Sequence, residues 1–175
     1  GSGTPTPGEN PEPLKPSTVS IERSTTKSVG GELTSAGREE ASKIKLTVIG
    51  DESAVDAVPY LKRRMQSVNG IYSNSKTLQA VVNDVKSLKS SKQLNTYVVI
   101  MAGRYGQVDK DAVDAVVNEI GEGHKILFVD APIETPNKGA MTQEYISASN
   151  RHKSVYYVNW SKYASPYIGY YYDDG

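Results

Sequence analysis

The 175-residue chain has no cysteine. That removes disulfides, thiolate nucleophiles and cysteine metal sites, and it suits a secreted bacterial domain. Net charge is absent too, with Lys plus Arg and Asp plus Glu at 20 each. No long-range field therefore gathers nucleic acid or an anionic membrane surface, and a partner must be recognised by local contacts. No apolar run approaches the roughly 18–20 residues that span a bilayer, and nothing resembles a signal peptide, so any membrane or export element is expected outside this chain. Histidine occurs only as His124 and His152. Neither stands among carboxylates at ligand spacing, so no metal is expected. The stretch GRYGQ (103–107) does not fit G-x-G-x-x-G, and no dinucleotide or other cofactor is expected.

What is present divides in two. Gly1-Ser2-Gly3 reads as a cloning remnant. TPTPGENPEPLKPSTVS (4–20) is rich in Pro, Thr and Ser, with too little apolar surface to offset the entropy of ordering, and reads as an extended tether. Residues 21–43 are polar around Gly30-Gly31. Ile21, Val29 and Leu33 offer a few anchors, but a linker is the preferred reading. The expected division is a tether over 1–43 and a folded domain over 44–175, a length suited to a single core.

From residue 44 onward, short β-branched runs alternate with helical stretches. IKLTVIG (44–50), GIYSN (70–74), TYVVIMAG (96–103), KILFVDAP (125–132) and SVYYVNW (154–160) read as strands. Between them, 53–65, 76–91, 109–121 and 139–152 carry helical periodicity. In the first, Ala54, Val58, Leu61 and Met65 share a face and Pro59 threatens a kink. In the third, Asp residues open the helix and Gly121 stops it. Five strands alternating with four helices predict an α/β fold, a three-layer α/β/α sandwich around a central parallel sheet of about five strands.

In such sheets ligands bind beyond the carboxyl ends of the strands, near the point where strand order reverses. That rule selects the turns after Ile49, Met101, Val129 and Trp160. The first carries Gly50-Asp51-Glu52-Ser53, the second Ala102-Gly103-Arg104-Tyr105-Gly106, and the chain closes on SPYIGYYYDDG (165–175). Through IGDESAVDAVPYL, VVIMAGRYG, VYYVNW and YYYDDG the chain resembles the SGNH (GDSL-like) hydrolase-transferase family. Within it, the likeness is to the extracytoplasmic domain of OatA-type peptidoglycan O-acetyltransferases, over 44–175 in element order and spacing.

The resemblance implies a set of parts for acyl transfer: a serine after Gly-Asp, oxyanion donors from a glycine amide and an asparagine, and a C-terminal Asp-x-x-His. The chemistry needs a hydroxyl activated by an imidazole and donors aimed at the charge developing on the carbonyl oxygen. Here Gly50 and Asp51 match, but Glu52 takes the serine position. Ser53 follows it, and one residue on a helical turn rotates a side chain by about 100°. Ser75 falls at the glycine position, where its amide can still donate if the backbone adopts the required dihedrals. Tyr105 replaces the asparagine. Asp174 begins the last motif, and the chain ends at Gly175 before a histidine. His124 and His152 precede strands and are expected at the opposite end of the sheet.

Several residues have a plain reading beside the functional one. Glu52 is a capping carboxylate in a helix's first turn, a ligand-contacting acid, or a substitute for the serine. Asp51 and Asp56 are ordinary first-turn acids, although the resemblance implies that Asp51 shapes the turn, and Lys62-Arg63-Arg64 is a solvated face. The tyrosines from Tyr156 to Tyr172 can stack on sugars or simply pack over the sheet. The resemblance implies a domain on the extracellular face of a bacterial membrane, carried by an N-terminal transmembrane acyltransferase domain outside this chain. The expected form is a monomeric, non-catalytic homologue that retains a groove for cell-wall glycan or a protein partner, with no nucleic acid bound. The alternative is an active O-acetyltransferase or acetylesterase working through Ser53 or a non-standard site.

Overall fold

A computed structural model describes residues 42–130 and 135–159. Five strands, β1 (Lys45–Gly50), β2 (Ser67–Tyr72), β3 (Tyr97–Met101), β4 (Lys125–Val129) and β5 (Val155–Val158), form one parallel sheet in the order β2-β1-β3-β4-β5. Four helices connect them: α1 (Ala54–Lys62), α2 (Leu78–Ser90), α3 (Lys110–Ile120) and α4 (Lys138–Arg151). The fold is the expected three-layer α/β arrangement. The expected tether lies almost wholly outside the described residues, as does the tyrosine-rich stretch from 160 to 175. No helix among the described residues is long and apolar enough to cross a membrane.

Period-two side-chain alternation divides the sheet into two apolar faces. Ile49, Val98, Ile100, Ile126, Phe128, Val155 and Tyr157 meet α2, α3 and α4 on one side. Leu46, Val48, Val99, Met101, Leu127, Val129 and Val158 belong to the second cluster, to which α1 contributes Ala54, Ala57, Val58 and Leu61. This is what right-handed crossovers dictate. The chain steps one way from β1 to β2 and the other way from β2 onward, so α1 sits opposite the remaining helices.

Two local expectations shift. Strand β2 begins three residues earlier than its apolar run. As an edge strand it pairs through its backbone with β1, while Asn69 accepts from the Thr47 hydroxyl at 2.7 Å and donates to the Gln93 carbonyl at 2.8 Å. Polar residues are therefore tolerated there. Pro59 lies inside α1, which runs through it to Lys62; burial of Ala57, Val58 and Leu61 against the sheet outweighs the missing hydrogen bond. Helices α2 and α3 start on conventional caps, Thr77 Oγ1 accepting from the Ala80 amide and Asp109 Oδ1 from the Ala112 amide.

Candidate functional site

Strand β1 has β2 on one side and β3 on the other, so the order reverses at its carboxyl end. Three loops meet there, those following β1, β2 and β3. The turn after β1 is held by its backbone: the Asp51 amide donates to the Met101 carbonyl at 2.9 Å, and the Ser73 amide to the Gly50 carbonyl at 3.1 Å. Gly50 is required because a Cβ there would lie 2.7 Å from that same Met101 oxygen.

Asp51 is fully buried. Its Oδ1 accepts from the Ser53 amide at 2.8 Å and from the Ser53 hydroxyl at 2.5 Å. Its Oδ2 is buried with no hydrogen-bond partner among the described residues. Burial pushes the Asp51 carboxyl above its ordinary value; the Ser53 hydrogen bonds oppose the shift and the neighbouring Glu52 charge adds to it. Asp51 thus shapes the turn, as expected, and it also ties down the Ser53 hydroxyl.

Glu52 is half-buried, and it joins the other two loops. One carboxylate oxygen, Oε1, accepts from the Ser75 amide at 3.2 Å, and the other, Oε2, accepts from the Tyr105 hydroxyl at 2.7 Å. Ser75 presents that amide from a left-handed backbone, φ 57°, a conformation few non-glycine residues adopt. Ser75 thus donates its amide to Glu52 from that left-handed conformation. Burial would raise the Glu52 carboxyl, but hydrogen bonds from Tyr105, its own amide and Ser75, together with the Arg104 charge, hold it below the usual range. Tyr105 moves the other way, its hydroxyl raised by donation to Glu52. The Arg104 guanidinium lies 5.5 Å from the Tyr105 ring centroid and its Nε is buried without a hydrogen-bond partner among the described residues.

The five positions Asp51, Glu52, Ser53, Ser75 and Tyr105 are therefore brought together, while Asp174 lies outside the described residues. The two histidines stand at the far end of the sheet. His124 directly precedes β4 with Nδ1 2.7 Å from the Asn95 carbonyl oxygen, and His152 follows α4 with Nε2 2.8 Å from Asp114 Oδ1. No cluster able to hold a metal occurs among the described residues.

Two supporting residues escape the sequence reading. The Asn137 side-chain amide donates to the Gly103 carbonyl at 2.7 Å and fixes the loop that carries Tyr105. Its signal is weak, a turn residue after Thr135-Pro136 that also opens α4. Tyr145, fully buried, donates to the Ala102 carbonyl at 2.7 Å; burial, reinforced by the charges of Asp130 and Asp51, holds its phenol well above the ordinary value.

No protein-family model matches the chain, and no curated protein matches it in sequence. The fold does have a solved counterpart. The C-terminal catalytic domain of Streptococcus pneumoniae peptidoglycan O-acetyltransferase A (OatA), solved with a methylsulfonyl adduct, superposes with a TM-score of 0.52 at 19% identity. The likeness covers 63% of this chain and 65% of that domain, just under two thirds of its length. At that identity the likeness concerns the fold alone.

Proposed function

We propose that this chain is an SGNH-like domain of the peptidoglycan O-acetyltransferase type, displayed on the outer face of a bacterial membrane, that performs no acyl transfer itself. It retains instead a role in binding cell-wall glycan or a protein partner. The fold it shares with the OatA catalytic domain supports the kinship. The observation that carries the loss of chemistry is the seating of Glu52: its carboxylate fills the space between the Ser75 amide and the Tyr105 hydroxyl, the donors that would otherwise receive an oxyanion. A carboxylate there repels developing negative charge, and as a nucleophile it would give an unstable mixed anhydride.

Ser53 does not replace the missing nucleophile. Its hydroxyl donates to Asp51, and both histidines of the chain are tied to groups at the other end of the sheet. Loss of the serine from an acyl-transfer triad costs about a millionfold in kcat. The expected result with 4-nitrophenyl acetate is no burst and a rate equal to that of Ser53→Ala. Turnover by the wild-type protein that Ser53→Ala abolishes would show that the site is an active esterase and overturn the proposal.

A further inference from the structure

We infer that the Ser75 amide and the Tyr105 hydroxyl form a two-pronged receptor for a small carboxylate, and that Glu52 is its internal occupant and gate. The inference concerns these donors alone and does not depend on the kinship proposed above. The two prongs come from different loops, after β2 and after β3, and each engages a different oxygen of one carboxylate, at 3.2 and 2.7 Å. The two oxygens of a carboxylate serve one donor each, as those of Glu52 do.

Three features make this a built arrangement. Ser75 keeps a left-handed backbone, φ 57°, a strained conformation for serine that places its amide on the Glu52 carboxylate. Arg104 supplies positive charge beside the pair, lowering Glu52 and flanking the Tyr105 ring at 5.5 Å. The Tyr105 loop is anchored from α4 by Asn137 through the Gly103 carbonyl, so its backbone is held independently of Glu52.

Glu52 is held on an ordered turn beside both donors and gives up little freedom in reaching them, whereas a free carboxylate pays the full cost of association. A free carboxylate therefore gains little in the wild-type protein, and a ligand must bring further contacts to displace Glu52. Affinity is reduced by the fraction of molecules in which the seat is vacant. Withdrawing Glu52 is thus the gating step, and the class of ligand admitted is a carboxylate.

The test is an amide NMR titration of Glu52→Ala with sodium acetate, with sodium chloride and acetamide as the comparison arms. Acetate is expected to move the Ser75 amide resonance saturably in Glu52→Ala and to leave it unmoved in the wild type. Chloride and acetamide should give no saturable shift, and adding Tyr105→Phe should weaken acetate binding about tenfold. Glu52→Ser is carried in parallel, so that poor folding of one variant does not decide the matter. A folded variant whose Ser75 amide ignores acetate, or responds equally to chloride, overturns the inference. So does unfolding of both variants, because a seat that cannot exist without its own glutamate is not a receptor.

Discussion

Gly103→Ala is expected to cost about 3–5 kcal/mol in urea denaturation, a large share of the 5–15 kcal/mol typical of a domain. Gly103 has φ +113°, where an L side chain is strained, and its Cβ would collide with the Tyr145 hydroxyl oxygen. That oxygen cannot move aside easily. Tyr145 is fully buried, donates to the Ala102 carbonyl at 2.7 Å, and packs its ring against Phe128 with centroids 4.9 Å apart. Overpacking costs about 1–3 kcal/mol, and the endangered hydrogen bond about 1 kcal/mol more. Tyr145→Phe removes the clashing oxygen but leaves the backbone strain. The double variant should therefore recover part of the loss, with a coupling above about 1 kcal/mol. A single-variant loss below 1 kcal/mol, or strict additivity, would show that the Tyr105 loop is not packed on Tyr145 as described.

Gly50→Ala should cost about 2–3 kcal/mol, at the upper end of ordinary overpacking. The added Cβ meets the Met101 carbonyl oxygen at 2.7 Å, the Met101 Cβ at 3.0 Å and the Ala54 Cβ at 3.2 Å. Two of these lie on the paired strand β3 and the third in the first turn of α1, so none is the free end of a flexible chain. The same Met101 oxygen receives the Asp51 amide. Pushing it away lifts the turn that carries Glu52. The variant should consequently show a shifted Ser75 amide resonance as well as reduced stability. Full stability with an unshifted Ser75 resonance would contradict the packing at the β1 turn.

The architecture was largely legible because the chain writes its two periods cleanly. Val98 to Met101 reads as a strand buried on both faces, and the Val113, Val116, Val117 and Ile120 stripe reads as a helix facing the sheet. From that alternation the parallel sheet follows, while the strand order and the place where it reverses are seen only in the structure. Strand β2 was read too late in the chain, at 70–74 instead of Ser67–Tyr72, because an edge strand needs no apolar side chains at Ser67 and Asn69.

The site was legible in membership and illegible in geometry. Asp51, Glu52, Ser53, Ser75 and Tyr105 could be named from the resemblance. That Glu52 reaches across to two other loops depends on how those loops are pinned. The pins are the left-handed Ser75 and the Asn137 bond to Gly103, neither of which follows from spacing. Nor could a sequence show that Asp51 and Glu52, adjacent acids, are pushed in opposite directions, one by burial and the other, against burial, by donated hydrogen bonds.

Those opposite shifts act oppositely on stability. Asp51, raised, favours the folded state at low pH, and its contribution fades as pH rises through the folded value. Glu52, lowered, contributes above the ordinary glutamate value of about 4.3 and loses that contribution as pH falls through the folded one. The measurement that bears most directly on the account is therefore the carbon-13 titration of the Glu52 carboxyl in the wild-type protein and in Tyr105→Phe. The account predicts a wild-type midpoint below the ordinary glutamate value that rises when the phenol is removed. A midpoint at or above that value, unchanged in Tyr105→Phe, would mean that Glu52 does not sit between Ser75 and Tyr105.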